Sequence, residues 1–327
     1  MIAVTGANGL LGSFIVRRLI QQQKPFIAIK RQNSDTSLLS DVSAQITWRT
    51  ADVLDPVAFE EALQGVTTVI HAAAVVSFNP AHEKKIYNIN VLGTRNVVNA
   101  CLSQNIARLV HISSVAALGR QKGQELIDEK NKWTESSINS RYAESKYFAE
   151  LEVFRGQEEG LKTVIVNPSV ILAPADWLKS SAQLFKYVWD EKKYYIEANL
   201  NYVDVRDVVG SVFQLMESSI QGQRFIVNGG AVRFAEFFAL VARKLGKKAP
   251  SIKLSSRTLY AAAMVETMRS RILRKEPLLT VETARLADTR FVYNSGKLRK
   301  TLNFEFQPID STIDWCCTHY LNFIAKK

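Results

Sequence analysis

Cysteine is scarce: the 327 residues hold three, Cys101, Cys316 and Cys317. They form no metal-ligand spacing, and the adjacent pair is a poor disulfide candidate. A zinc site and a disulfide-stapled scaffold are therefore excluded, and a reducing cytoplasm is the expected compartment. The four histidines, His71, His82, His111 and His319, are scattered, so no metal is expected. No apolar run approaches the ~20 residues needed to span a bilayer, which excludes integral membrane association. Residues 1–15 are fairly apolar, but no basic segment precedes them and three glycines interrupt them, so a signal peptide is not expected. Internal repeats and low-complexity tracts are also missing.

What is present is ordinary for a soluble globular protein, with 47 % hydrophobic and 22 % charged residues, except for a net charge of +11. The basic excess is concentrated between Arg243 and Lys300, through Lys247, Lys248, Lys253, Arg257, Arg269, Arg271, Arg274 and Lys275. No aromatic platform is interleaved with it, so nucleic acid is not an expected partner. A solvated basic face and an attraction for an anionic cofactor or substrate both remain open.

Short apolar runs alternate with segments of helical character through about residue 230. Strands are expected at Met1–Thr5, Phe26–Lys30, Thr68–Ala73, Ala107–Ile112, Thr163–Asn167 and Phe225–Asn228. Helices are expected at Leu11–Gln22, Val91–Gln104, Tyr142–Arg155 and Phe234–Leu245, with an amphipathic basic helix at Leu259–Arg274. Such alternation implies βαβ units, and strands that are apolar throughout imply a sheet covered on both faces. The fold class is therefore α/β, a doubly wound parallel sheet. Residues 1–167 and 204–228 are expected to form a dinucleotide-binding domain. Residues 168–203 and 229–327 are expected to form a smaller, discontinuous substrate domain.

Thr5-Gly6-Ala7-Asn8-Gly9-Leu10-Leu11-Gly12 follows the first strand and opens the first helix. In that context Gly6 permits a tight turn, Gly9 lets the backbone approach a pyrophosphate at the helix N-terminus, and Gly12 lets the helix lie close to the sheet. Asn8, Leu10 and Leu11 complete this cofactor-contact segment. The end of the second strand carries Lys30-Arg31 with Ser34 nearby, where an acidic residue would select NAD. A guanidinium can pair with a 2′-phosphate, so NADP is favoured over NAD; the alternative has Arg31 merely exposed and Asp35 on the ribose. Asp52-Val53 is a candidate for the adenine edge, or else an ordinary turn.

Tyr142 and Lys146 are four apart and share one helix face. Tyrosine is a poor acid or base at neutral pH, its reference pKa being about 10, and a nearby ammonium favours the phenolate. Lysine can also hold a cofactor ribose. Ser114 follows the apolar strand Leu109–Ile112, so its hydroxyl can emerge at the carboxyl end, where open parallel sheets bind ligands. There it can hydrogen-bond a substrate oxygen. Its neighbour Ser113 is read as packing or capping.

These motifs resemble the extended short-chain dehydrogenases/reductases, over nearly the whole chain. The marks are Thr5–Gly12, His71-Ala72-Ala73-Ala74, Asn90-Val91-Leu92-Gly93-Thr94, Ser113-Ser114, Tyr142 with Lys146, Asn167-Pro168-Ser169-Val170, and Tyr202 to Val208. Arg31 and Val75-Val76-Ser77-Phe78 look like the dihydroflavonol 4-reductase and 3β-hydroxysteroid dehydrogenase branches. The resemblance implies a Rossmann fold and a Ser114/Tyr142/Lys146 catalytic set. It further implies Ala72, Ala73 and Ala74 under the cofactor, Pro168 and Val170 beside the nicotinamide, and Asn90 near the active site in contact with the cofactor, or else a backbone-bonding helix start. It makes His71 and His111 structural, and has Asp204 and Asp207 orient loops and cap a helix.

The function expected is an NADP(H)-dependent oxidoreductase interconverting a carbonyl and a secondary alcohol on a small, mainly apolar substrate. The rivals are a sugar-nucleotide epimerase or dehydratase with tightly bound NAD, and a non-catalytic NADP-binding regulatory module. The apolar stripe Leu259 to Val265, with Met268 and Ile272, is either core or the wall of an apolar pocket. A homodimer is expected through Val91, Val97, Val98 and Leu102 on one helix and Tyr147, Phe148, Leu151 and Phe154 on another.

Overall fold

A computed structural model of the chain describes residues 1–121, 123–136, 138–177, 179–255, 257–261, 263, 264, 269 and 290–325. Two compact units emerge. One comprises Met1–Gly119, Arg141–Pro168 and Val208–Ile226, the other Arg120–Ser140, Ser169–Asp207 and Val227–Lys327.

The first unit is built on a seven-stranded sheet. Its strands, numbered along the chain, are β1 (Ile2–Thr5), β2 (Phe26–Lys30), β3 (Trp48–Thr50), β4 (Thr68–His71), β5 (Arg108–Ile112), β7 (Thr163–Pro168) and β11 (Gln223–Val227), in the order β11-β7-β5-β4-β1-β2-β3. The pairings from β7 through β3 are parallel. Register aligns Thr5 with Ile29 on one side and His71 on the other, and His71 with His111, so the carboxyl ends of β1, β2, β4 and β5 finish together. Ala3, Ile27, Val69, Leu109 and Ile165 of these strands are buried with Phe59, Leu63, Val97, Val98 and Val153 in one apolar core. Each of these side chains larger than alanine contributes about 1.5–3 kcal/mol by leaving water.

The helices of this unit are α1 (Leu10–Gln21), α2 (Pro56–Glu61), α3 (Glu83–Tyr87), α4 (Gly93–Ser103) and α5 (Arg141–Glu158). The chain fits the expected α/β class, with three local departures. β3 is a third strand that the apolar pattern hid, because Trp48, Arg49 and Thr50 form a partly solvated edge. β4 stops at His71 instead of Ala73: Ala72 N–H reaches back to the Thr5 carbonyl and Ala73 N–H to the Thr5 hydroxyl, pulling the segment off the sheet and over Gly6. The helix expected at Val91–Gln104 is α4, entered from α3 through a π-helical turn at Asn88–Leu92. Asn90 explains that turn. Its carbonyl accepts the Thr94 hydroxyl at 2.6 Å while its side chain leaves the helix to hold Val75.

The second unit contains the sheet β12-β10-β8, formed by β8 (Val170–Leu172), β10 (Asn199–Asp204) and β12 (Gly230–Arg233). Two short parallel pairs accompany it, β6 (Leu126–Ile127) with β14 (Val292–Tyr293) and β9 (Tyr194–Tyr195) with β13 (Ile252–Lys253). Its core gathers Phe185 from α6 (Gln183–Trp189), Phe237 and Phe238 from α8 (Phe234–Leu245), and Cys316, Cys317 and Tyr320 from α10 (Ile309–Ala325). Helix α9 (Gly296–Leu302) precedes α10.

Asp204 and Asp207 flank the start of α7 (Val205–Glu217). Asp204 accepts the Arg206 backbone N–H at 2.7 Å, pairs with the Arg206 guanidinium at 2.6 Å and takes the Thr312 hydroxyl at 2.8 Å. Asp207 accepts Gln307 N–H at 2.9 Å.

Much of the basic segment is internally engaged. Arg243 pairs with Asp310, Lys244 with Asp314 and Lys253 with Glu197, and Lys247 lies 4.3 Å from the Trp189 ring centre. Of the stripe expected to be core or pocket wall, Leu259 and Ala263 are buried against Ile196 and Leu254, whereas Met264 is 52 % exposed. Val265, Met268, Arg271, Ile272, Arg274 and Lys275 lie outside the described residues. Among the described residues no helix is long and apolar enough to cross a membrane, and no group of three His, Cys, Asp or Glu could hold a metal.

Candidate active site

The turn between β1 and α1 can be made only by glycine. Gly6 has φ +64°, and a Cβ there would lie 2.7 Å from the backbone of Ala72 and Ala73. Gly9 N–H closes the turn on the Gly6 carbonyl at 2.9 Å. Gly9 is also the N-cap of α1, and no side chain caps that helix end. The first-turn N–H groups and the positive end of the helix dipole are therefore available to an anion.

A cleft of about 260 Å³ opens at this turn. Of the residues expected to contact a cofactor, Gly6, Asn8, Gly9, Arg31, Asp52, Val53, Ala72, Ala73 and Ala74 line it. Leu10, Leu11 and Gly12 stand in the first turn of α1 behind it. Asn8 donates to the Asp35 carbonyl at 2.9 Å, tying the glycine turn to the segment after β2. Asp35 turns its carboxylate to Ser37 N–H at 2.9 Å and is not among the lining residues, whereas Arg31 and Ser34 are. Asp52 also forms a local turn, accepting Leu54 N–H at 3.0 Å.

Lys85 of α3 and Ile89 of the π-helical turn also line the wall. Neither was found from sequence, because they belong to no motif; the signal was their place just upstream of Asn90. With Lys30, Arg31 and Lys85 against Asp52, the lining is rich in positive charge. Asn90 itself is buried. Its amide receives Val75 N–H at 2.8 Å and donates to the Val75 carbonyl and to Ser145 at 2.9 and 3.0 Å. Both amide protons are thus committed within the protein, and Asn90 acts on the cleft by fixing Val75.

The proposed reacting groups lie in the same unit. Tyr142 is 9 % exposed, with its ring edge-on to Phe78, and Lys146 is 3 % exposed. Lys146 Nζ donates to the Ile112 carbonyl at the end of β5 at 2.9 Å, and burial pulls its pKa down to about 8. Ser114 leaves β5 in extended conformation and caps the turn Val115–Leu118, its Oγ accepting Ala116 N–H at 3.2 Å. That bond leaves the hydroxyl proton for another acceptor. Asn167, at the end of β7, donates to the Ser114 carbonyl at 2.9 Å. Pro168 ends β7 in the first unit, and Val170 begins β8 in the second.

Ser113 packs as expected: its hydroxyl donates to the buried Glu150 at 2.5 Å. Glu150 was missed from sequence, although its position four residues beyond Lys146 put a carboxylate on the buried face. His71 bridges Thr5 and Thr94 at 2.7 and 3.1 Å, and its ring centre lies 5.3 Å from that of His111. Burial depresses the His71 pKa to about 3 and holds that of His111 well below the usual range, so both rings are neutral supports.

Known proteins resemble the chain over most of its length. The chain is 26 % identical over 305 residues to sterol demethylase protein B of Methylococcus capsulatus, covering 91 % of this chain and 92 % of that protein. It is 26 % identical over 326 residues to a putative dihydroflavonol 4-reductase of Synechocystis, covering 97 % and 94 %. The crystal structure of gox2253 superposes with a TM-score of 0.83 at 29 % identity, covering 99 % of this chain and 98 % of that one. The sequence profile of the NAD dependent epimerase/dehydratase family matches residues 2–227. The chain belongs to that family, and with it to the NAD(P)-dependent enzymes that act on hydroxyl and carbonyl groups of small molecules.

Proposed function

We propose that the protein is an NADP(H)-dependent oxidoreductase interconverting a carbonyl and a secondary alcohol on a small, mainly apolar substrate. The observation that carries this reading is that one unit holds both the glycine cradle and a buried Tyr142/Lys146 pair on one helix face. The residues fit a dinucleotide: a Cβ would fill the cradle at Gly6, the α1 N-terminus is uncapped, and Arg31, Lys30 and Lys85 line the cleft. When bound, a nicotinamide dinucleotide supplies or accepts the hydride.

The chain's own residues do the rest. Gly6, Asn8, Gly9 and Leu10 to Gly12 seat the pyrophosphate, and Arg31 takes the 2′-phosphate, which favours NADP over NAD. Asp52 and Val53 meet the adenine, Ala72 to Ala74 lie under the cofactor, and Pro168 and Val170 stand beside the nicotinamide. Ser114 donates its hydroxyl to the substrate oxygen. Tyr142 gives that oxygen a proton in reduction and takes it back in oxidation. Lys146 holds the ribose and, as an ammonium, favours the tyrosinate.

Residues 1–167 and 204–228 are proposed to serve the dinucleotide and 168–203 and 229–327 substrate selection, although the compact units group residues 120–140 and 204–207 with the second. The three cysteines are free and buried, which supports a cytoplasmic enzyme. A homodimer remains part of the proposal: α5 exposes Leu151, though Val91, Val97 and Val98 are buried. Light scattering at micromolar concentration tests it, and a strict monomer removes it.

The reductase reading is tested by NADPH oxidation over a homologous series of aromatic and alicyclic ketones and aldehydes. The free energy of activation read from kcat/KM is expected to fall by about 25 cal/mol per Å² of added apolar area. A flat series with tight UDP- or dTDP-sugar binding and retained NAD would replace it with an epimerase or dehydratase. NADPH binding without turnover would point to a regulatory module.

A further inference from the structure

A charged side chain lies buried beside the site with no part in the proposed chemistry. Tyr142, Lys146 and Glu150 follow at intervals of four along α5 and so share one face. Glu150 is 1 % exposed. Burying a carboxylate is costly unless it is paired and hydrogen-bonded, and three donors meet this one. Its Oε1 accepts the Ser113 hydroxyl and the Asn167 amide, both at 2.5 Å, and its Oε2 meets Arg224 of β11 at 3.3 Å. Asn167 commits its remaining amide proton to the Ser114 carbonyl. Glu150 is thus joined to the backbone of Ser114 through one intervening side chain, and lies one helical turn from Lys146.

We propose that Glu150 is a positioning residue of this site: it ties Ser113 and Asn167, and through Asn167 Ser114, to the helix face bearing Tyr142 and Lys146, and its negative charge holds Lys146 as an ammonium. The inference rests on the reading that Lys146 meets the cofactor ribose. Among the described residues the titratable groups around Lys146 are Tyr142 and Glu150 on α5, His71 on β4 and His111 on β5, with Arg224 facing Glu150 from β11. Burial keeps both imidazoles neutral, leaving Glu150 to oppose the fall that burial imposes on Lys146. Burial also raises the Glu150 carboxyl, and the Ser113, Asn167 and Arg224 contacts counter that rise. The contacts offset that rise only in part, and they hold the carboxyl in place against the α5 face.

The test is a fluorescence titration of wild type, Glu150→Gln and Glu150→Asp with NADPH and NADH between about pH 6 and pH 9.5, a range that brackets the Lys146 value of about 8. Wild-type affinity is expected to fall with a midpoint near the Lys146 value of about 8. In Glu150→Gln the midpoint drops by roughly one unit, and in Glu150→Asp, which keeps the charge, it stays. A folded Glu150→Gln protein with the wild-type midpoint overturns the proposal and leaves Glu150 a packing residue. If Glu150→Gln does not fold, Glu150→Met, which also removes the charge, decides: a lowered midpoint supports the charge and an unmoved one overturns it. A wild type that binds neither dinucleotide ends this inference and the reading of the site together. One that binds, shifts as expected and reduces no carbonyl ends only the proposed substrate chemistry.

Discussion

Gly12 lies so close to Gly6 that a Cβ on Gly12 would stand 2.0 Å from the Gly6 carbonyl oxygen and 2.8 Å from Ala7 Cα. Both neighbours are backbone, so relief requires the turn itself to move. Overpacking of this kind costs about 1–3 kcal/mol or more. Gly12→Ala is expected to lower Tm by roughly 5–10 °C and to weaken dinucleotide binding at least tenfold. Gly246→Ala is the control. That glycine ends α8 at φ +64°, and a Cβ there meets nothing within 4 Å. It should lose about 1 kcal/mol and leave binding unchanged. Equal binding losses in the two variants would detach Gly12 from the cofactor site.

Tyr142→Phe removes one oxygen from a ring held edge-on to Phe78 and leaves the packing in place. Turnover on the true substrate is expected to fall by ~10²–10⁴-fold, the usual worth of a positioned acid–base group. Dinucleotide affinity should change little. Stopped-flow hydride transfer at saturating cofactor measures the first quantity and fluorescence titration the second. Wild-type turnover in the phenylalanine variant removes Tyr142 from the chemistry.

The sheet was legible because strands buried on both faces must be apolar throughout, and Ile2–Thr5, Phe26–Lys30 and Arg108–Ile112 are close to that. β3 was not, since an edge strand escapes that demand. The glycine turn was legible because Gly6 and Gly12 answer a geometric requirement that no other residue meets. Lys85 and Glu150 answer no local rule. Lys85 lines the cleft because the π-helical turn at Asn88–Leu92 sets how α3 enters α4, and Glu150 matters through partners on β5, β7 and β11. Such long-range placement is not encoded in spacing, and neither is the commitment of the Asn90 amide to Val75 and Ser145.

Arg31 follows β2, lines the cleft and makes no side-chain hydrogen bond or ion pair with another described residue, whereas Asp35 turns to Ser37. Arg31→Ala should therefore weaken NADPH far more than NADH, by the roughly 1.5–3 kcal/mol of a charge-assisted contact. Paired calorimetric titrations measure the difference. Equal losses for both cofactors take Arg31 out of the site, and tighter NAD than NADP binding in the wild type reverses the preference itself.

Asp207 gives the second unit a pH-dependent stability of its own. Burial raises its carboxyl from 3.8 to about 6; nearby Asp204 pushes the same way, and the Gln307 N–H and the charges of Arg206 and Arg299 pull back. A carboxyl raised in the folded state binds its proton more tightly there than in the unfolded chain. Its contribution is therefore fully present below about 4, and it is lost as pH rises through about 6. Asp207→Asn removes the titration while its side-chain oxygen can still accept Gln307 N–H. Measured by urea unfolding, the variant should gain on the wild type between about pH 4 and pH 6 and hold a constant difference above about pH 7. Taking the difference cancels the other carboxylates, so a difference that stays flat across that window would show that Asp207 titrates alike in both states.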